Sequence, residues 1–509
     1  MSEYIIGAHI LESLTTGMYQ DSRMIFREYI QNSCDAVDAA VRLGLLEAGE
    51  DDIRITIDSV ARKIIIEDNG TGIMSEDFAR VLGNVADSDK RQDENRGFRG
   101  IGRLGGMAYC ETLIFTAKFK GENVVSKLVC NAKILKEFLH ENDTGIKRYT
   151  ALQVLDFINE FKTETTEDID AHYFRVELEG INEENTDLLD VQKVREYLSF
   201  TAPLPYPMAF MTFSPLIKQH AENLGLKIDE YNIYVNNEQL LKGYTRTFNT
   251  GRGKGSDEIF DIRFYDFKSI DNRLIAWLWF GISNFKGVID DKCPMRGIRV
   301  RKDNIQIGNE DTLQKFFSES RGVHYFVGEL FCVSKELIPN SHRDYFNENP
   351  ERAEFERQIK NYCRELTRYY REGSNLSSTW RKIDEAEKRH AEISGKFRTG
   401  SLTDKQDRET AREELHKAED DVERARAELN KIKTSGSAVI QRIIEHAEDE
   451  RANTTEQERE IIPPSNIPAE KRYTPKEQRL LDKIYAIIRK RLEPSSASKL
   501  IAEIEDSLK

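Results

Sequence analysis

Three short stretches carry residue types at spacings that chemistry could use. In FREYIQNSCDAVDAA (26–40), Glu28 and Asn32 are four apart, so a helix sets both on one face. The carboxylate can take a proton from water, and the carboxamide oxygen can ligate Mg²⁺, which favours hard oxygen donors. Alone, such a pair is usually surface decoration. In EDNGTGI (67–73), Asp68 ends an apolar run, and Gly70 and Gly72 let the chain turn sharply and leave room for a flat ligand. An acceptor-only carboxylate suits an exocyclic amino group such as that of adenine, although strand–turn sequences of this kind also serve as plain turns. In RGFRGIGRLGG (96–106), glycines at 97, 100, 102, 105 and 106 can wrap phosphates with backbone N–H groups. A dinucleotide-fold reading fails, because these glycines follow two predicted helices and a hairpin instead of the first strand.

The elements that must hold these residues are legible around them. Helices are predicted at 9–21 and 23–41, the second with apolar Ile25, Ile30, Val37 and Val41 among polar neighbours. IRITID (53–58), KIIIED (63–68), TLIFTAK, NVVSKLV and YFRVEL (173–178) read as strands. PLPYP (203–207) marks a boundary, and 208–350 reads as a second α/β region containing IAWLWFGI (275–282) and IRVRKDNIQIG (298–308). Beyond 350, Ile383, Ala386, His390, Ile393 and Phe397 recur at three- and four-residue steps. After a polar break (398–407) the steps resume in Ala411, Leu415, Ala418, Val422, Ala425, Leu429 and Ile432, which predicts an antiparallel coiled-coil hairpin. The alternative is a solvated helical pair packed on the body. IIPPSNIP (461–468) reads as a linker. A last helix opens with the capping signal Thr474-Pro475-x-Glu477 and carries Leu481, Ile484, Ile488 and Leu492 on one face.

The 509 residues are too many for one ordinary core, so two or three domains are expected. With 39% hydrophobic and 32% charged residues the balance is that of a soluble globular chain rich in charged helix. No membrane-length apolar run or signal peptide is read, and six scattered cysteines without a C-x-x-C pair point to a reducing, cytoplasmic setting. A net charge of -14 disfavours nucleic acid as the default partner.

In their order, the three motifs resemble those of the GHKL ATPases, the superfamily of gyrase, heat-shock chaperones, histidine kinases and MutL. ILESLTTGMYQDSRMIFREYIQNSCDAVDAA (10–40) is especially similar to the start of ninety-kilodalton heat-shock chaperones, and similar stretches occur in microrchidia ATPases. The resemblance covers residues 5–205 and, more weakly, 275–350. It implies an α+β fold: a Bergerat-type ATP-binding α/β sandwich (1–205), a transducer or middle domain (206–350), then a helical region with the hairpin (351–435), a helix and linker (436–470) and a C-terminal helical segment (471–509). It implies ATP and Mg²⁺ as cofactors, with Glu28 as general base, Asn32 as metal ligand and Asp68 as adenine reader. Asp35, Gly70, Gly97 and Ile101 lie in the same motifs as nucleotide contacts. Gly72 would admit the base, and Gly100 and Gly102 would sit at the phosphates. Residues 83–98 would form a lid, within which Lys90 is either a phosphate contact or a solvated lysine. SKELIPNSHRDYF (334–346) resembles the chaperone segment that sends an arginine to the γ-phosphate. Arg343 is then that arginine, flanked by Asn340 and Asp344, while Arg299, Arg301 and Lys302 form a nearby basic strand or an exposed sheet face.

One departure stands out. The chaperones carry Gly-Thr where YFRVEL begins, and Phe174 occupies the threonine's place, so either the supporting hydroxyl comes from Thr112 or Thr116 or adenine selectivity is looser. The function implied is a slow, nucleotide-driven switch that closes a homodimer, acting on a protein client or controlling a separate effector, for example in bacterial defence. The alternative is a DNA-engaging clamp of microrchidia or MutL type, with the coiled coil and basic strand as contacts. A histidine kinase would need an upstream phosphoacceptor, where only His9 stands, and no tyrosine-nucleophile or primase-like acidic region suggests a topoisomerase.

Overall fold

The computed structural model describes residues 6–15, 21–85, 102–143, 147–251, 253, 255–398 and 404–461, with isolated helical positions between 481 and 504. Lys90, Gly97, Gly100 and Ile101, and most of the expected lid, lie outside the described residues. The chain is α+β and forms two compact units, Met1–Ile444 and Glu445–Lys509.

The first layer is an eight-stranded sheet. Its strands are β1 (Ile53–Asp58), β2 (Lys63–Asp68), β3 (Thr112–Lys118), β4 (Val124–Asn131), β5 (Asn159–Thr165), β6 (Tyr173–Glu179), β7 (Ile233–Val235) and β8 (Glu238–Gln239). Their order is β5-β4-β3-β6-β2-β1-β7-β8, antiparallel except for β1 against β7. The sheet therefore draws in strands beyond residue 205. The alternation anticipated for β1 and β2 puts Ile53, Ile55, Ile57, Ile64 and Ile66 on the buried face. Onto that face pack α1 (His9–Leu14), α2 (Met24–Arg42), α3 (Ser75–Gly83), α4 (Ala132–Asp143), α5 (Ala151–Ile158) and α6 (Val191–Thr201), through side chains such as Leu11, Ile30, Phe78, Leu135, Val154 and Leu198. Each fully buried side chain of this size contributes roughly 1.5–3 kcal/mol.

After α7 (Ser214–Asn223) and the small pair β9 (Thr247–Asn249) and β10 (Ser256–Glu258) comes a five-stranded sheet. It comprises β11 (Asp261–Lys268), β12 (Leu274–Ile282), β13 (Gly297–Lys302), β14 (Ile305–Ile307) and β15 (Val327–Cys332), ordered β11-β12-β15-β13-β14. β12 is covered on both sides. Trp277 and Trp279 enter a core with Phe210, Phe213 and Tyr244, and Leu278 and Phe280 enter another with Phe355, Ile359 and Leu366. That double cover explains why IAWLWFGI is apolar throughout instead of alternating.

The long helix α8 (Pro350–Arg398) starts on that second core and pairs with α9 (Lys405–Ser435). Ion pairs Lys382–Glu428 at 3.5 Å, Glu387–Arg426 at 2.8 Å and His390–Glu419 at 3.4 Å run in opposite directions along the two helices, which makes the pair antiparallel. Ile383, Ala386 and Ile393 of the expected stripe are buried, as are Ala411, Ala418 and Ala425. Helix α10 (Ala438–Ile461) follows. Leu481, Ile484 and Ile488 are helical, while the linker past Ile461, the capping signal at 474–477 and Leu492 fall outside the described residues. Among the described residues no helix is long and apolar enough to cross a membrane.

Candidate active site

Helix α2 buries Ile25, Phe26, Tyr29, Ile30, Cys34 and Val37 in the first core, and this fixes its rotation. Glu28 and Asn32 then stand one turn apart; Glu28 is buried and Asn32 is half-buried. Gly102 begins a short 3₁₀ turn, and a Cβ there would stand 2.6 Å from Glu28 Oε2. The end of the glycine-rich stretch thus rests directly on the candidate base, and no side chain fits between them.

The second half of α2 rests on the Asp68 turn. Thr71 N–H donates to Ala36 O at 3.3 Å, and a Cβ on Gly70 would stand 2.6 Å from Ala36 Cβ. Asp35, one residue earlier on the same helix, is buried. Asp68 is buried at the end of β2 on the core face, and Gly70 N–H donates to its Oδ1 at 3.0 Å. Gly72 adopts φ +66°, and a Cβ on it would lie 2.0 Å from Lys118 O. Glycine is required there both by conformation and by the close approach of β3.

The strand register corrects one expectation. Asp68 pairs across β6 with Phe174, and Phe174 pairs across β3 with Ala117, so these three share a face. Thr116 pairs with Arg175 and Thr112 with Glu179, on the opposite face of the sheet. Neither threonine can supply a hydroxyl beside Asp68. Instead the Phe174 ring stands there, stacked on Phe115 at 6.1 Å between centroids.

Arg343 reaches this site from the loop between β15 and α8. Its Nε lies 2.7 Å from Glu28 Oε1, and both side chains are largely buried. The contact is a charge pair, since Glu28 Oε1 receives no hydrogen bond of ordinary geometry from the described residues. A tight loop presents the arginine. Arg343 N–H donates to Asn340 O at 3.1 Å, Asn340 N–H to Tyr345 O at 2.9 Å, and Asn340 Nδ2 to Asp344 Oδ1 at 2.6 Å. Gly308 N–H, at the end of β14, donates to Arg343 O at 2.9 Å. Asn340 and Asp344 thus brace the loop that carries the arginine. Arg343 itself sits at φ +52°, a left-handed conformation costing roughly 1–2 kcal/mol for a residue with a Cβ.

With this geometry in place, comparison with known proteins settles the domain. Residues 21–165 match the histidine kinase-, DNA gyrase B- and HSP90-like ATPases. That stretch is a GHKL ATPase domain, and it resembles the HSP90 chaperones. The chaperone protein HtpG of Buchnera aphidicola is 29% identical over 150 residues, covering 27% of this chain and 24% of the relative. HtpG of Bordetella pertussis is 30% identical over 118 residues, covering 21% and 19%, and HtpG of Borrelia garinii 27% over 179 residues, covering 30% and 28%. The chain therefore spans less than a third of the length of these chaperones.

The ATPase domain holds a residue that the motifs alone did not single out. Arg27 is buried, its Nη2 is 3.7 Å from Glu28 Oε1, and its Nε and Nη2 have no hydrogen-bond acceptor among the described residues. Two guanidinium groups therefore face the Glu28 carboxylate. The only cue to Arg27 in the sequence is a charged residue wedged into an otherwise apolar helix face. Outside the ATPase domain a second expectation fails. Arg299 and Arg301 are buried: Arg299 donates to Gln306 and Pro294 O, and Arg301 to Glu329, Asn304 O and Phe200 O. Lys302 Nζ donates to Ser334 O at 2.8 Å. The basic strand is an internal structural element, because each of its three cations is engaged by partners within the chain.

Proposed function

We propose that this chain is a Mg²⁺-dependent ATP hydrolase working as a nucleotide-driven switch, in which Glu28 and Arg343 exchange partners. The pairing of Arg343 with Glu28 at 2.7 Å, beside Gly102, carries this reading. Asp68 accepts from the adenine amino group, and Gly72 leaves the base room to enter. Asn32 offers a single hard oxygen beside the base, which fits an ion that keeps most of its waters and leans on phosphate oxygens. When bound there, Mg²⁺ supplies positive charge to the phosphates. Arg343, paired with Glu28 in the state described, moves to the γ-phosphate as nucleotide fills the pocket, and a planar guanidinium there neutralises charge on the transferring group. Glu28, released from the pair, takes the proton of the attacking water, a contribution of roughly 10²–10⁴-fold.

Because Arg343 follows β15 and α8 starts a few residues later, this exchange reaches the second sheet and the helical hairpin. On this reading the switch works in a cytoplasmic homodimer and acts on a protein client or a partner effector. The burial of Arg299 and Arg301 removes the main support for the DNA-clamp alternative. The deciding experiment compares ATP turnover and ADP binding in wild type and Glu28→Ala. Turnover should vanish while ADP binding persists, and a variant with wild-type turnover overturns the assignment.

A further inference from the structure

The second sheet contains a group of charges wholly removed from water. Glu329 on β15 and Arg301 on β13 have no exposure, and Lys242, in the segment entering the second sheet, has almost none. Glu329 accepts from Lys242 Nζ at 2.9 and 3.0 Å and from Trp279 Nε1 at 3.1 Å. It also accepts from Arg301 Nε and the Tyr206 hydroxyl. Such a cluster is a poor source of stability, since well-packed apolar residues often do as well or better. Its distinctive property is what it joins.

Arg301 Nη2 donates to Phe200 O at 2.9 Å, at the end of α6. Lys242 Nζ donates to Asn304 Oδ1 at 3.0 Å, and Asn304 Nδ2 to Asp229 O at 2.6 Å. The backbone N–H groups of Lys242 and Gly243 donate to Pro205 O and Ser199 O. Every one of these bonds ties the β13–β14 hairpin or its neighbours to the segments that close the ATPase layer. The hairpin ends at Gly308, whose N–H holds Arg343 O. On the other side, the Tyr197 ring of α6 lies under the Arg23 guanidinium, 5.0 Å away, at the start of α2. The path is closed: Glu28, α2, α6, Phe200, Arg301, β14, Gly308, Arg343 and back to Glu28.

We propose that Glu329 is a positioning residue, which clamps the β13–β14 hairpin to the end of α6 through Arg301 and Lys242 and so sets where Arg343 stands relative to Glu28 and the nucleotide. This rests on the ATPase reading of Arg343 given above. The test uses the full chain with Glu329→Gln, which keeps the shape and removes the charge, and has two readouts. Backbone hydrogen exchange should speed up by about ten-fold or more at Gly308 and residues 338–347, with β1 and β2 unchanged. Turnover should fall by about ten-fold with ADP affinity unchanged, and adding Arg343→Ala should cost less than about two-fold more. If Glu329→Gln does not fold, Asn304→Gly, which removes the side chain joining Lys242 to Asp229 O and accepts the left-handed backbone there, should give the same pattern at smaller size. Unchanged exchange in the loop overturns the proposal whatever happens to turnover. So do exchange rising evenly through both sheets and a full additional loss from Arg343→Ala, the marks of a merely structural glutamate. If Arg343→Ala leaves wild-type turnover intact, the ATPase role of Arg343 fails, and the exchange data still decide whether Glu329 fixes the loop.

Discussion

Arg343 and Glu28, on different sheets' elements and far apart in sequence, neutralise one another across 2.7 Å. In the state described, the base is engaged by the cation that the proposed mechanism later needs at the phosphate. Arg343→Ala should therefore cut turnover by about ten-fold or more, equivalent to about 1.4 kcal/mol, while leaving ADP affinity nearly unchanged. Lower thermal stability with unchanged turnover would leave Arg343 a structural arginine.

The φ of +52° at Arg343 gives a second, independent check. Glycine accepts this backbone and alanine does not, so Arg343→Gly should be more stable than Arg343→Ala by about 1 kcal/mol. Both should be equally slow, because neither supplies a guanidinium. Denaturant midpoints of the two variants settle it; coincident midpoints would mean the left-handed turn is absent in solution.

Gly72 should tolerate no side chain. A Cβ there would press to 2.0 Å from Lys118 O in a left-handed conformation, so Gly72→Ala should abolish measurable nucleotide binding and cost about 2 kcal/mol or more of stability. Gly395 in α8, where a Cβ meets nothing within 4 Å, is the control. Gly395→Ala should raise stability by roughly 0.5–1 kcal/mol and bind nucleotide normally. Calorimetric titration with ADP and thermal melts distinguish the two cases.

The buried cluster predicts an unusual pH response. Burial, and then the charge of Arg301, push Lys242 down to about 7, whereas in the unfolded chain it titrates near 10.5. Two cations share the single Glu329 carboxylate, which Arg301 and Lys242 hold down to about 2 against the upward pull of burial. Deprotonating Lys242 leaves a neutral Arg301–Glu329 pair. Above pH 7 the folded chain gives up a proton that the unfolded chain keeps, so stability rises with pH from about 7 towards 9. Beyond the ordinary thiol range the trend reverses, because burial raises Cys110 and Cys332 to about 12 and only the unfolded chain ionises them. Urea midpoints between pH 6.5 and 8.5 should climb for wild type and stay flat for Lys242→Met; a flat wild-type profile contradicts the shift.

The local features of this site were legible before the fold was seen. Helix α2, strands β1 to β4 and β6 and the Asp68 turn follow from apolar spacing and glycine positions that depend on near neighbours in the chain. What depended on which strands lie side by side was not. Whether Thr116 or Phe174 faces Asp68 is decided by the register of β2, β6 and β3, and a single-residue slip would reverse the answer. Arg299 and Arg301 alternate along β13 as they would on an exposed face, and only the cover from α6 and the aromatic core turns them inward. Arg27 was missed for a related reason: its burial beside Glu28 depends on how α2 packs on the sheet, and an arginine in a helix is ordinarily a solvated residue.

The length of α8 sets a mechanical scale for whatever happens at Arg343. At 49 residues and 1.5 Å of rise each, the helix is a rod of about 70 Å. Its first turns share a core with Tyr345 and Phe346, immediately beyond the arginine. A reorientation of roughly 5° at that fulcrum would sweep the far end by about 6 Å, more than one helical pitch. An exchange of ionic partners spanning a few ångströms at the nucleotide thus acquires an amplified stroke, read out at the far end of α8, where it lies against α9.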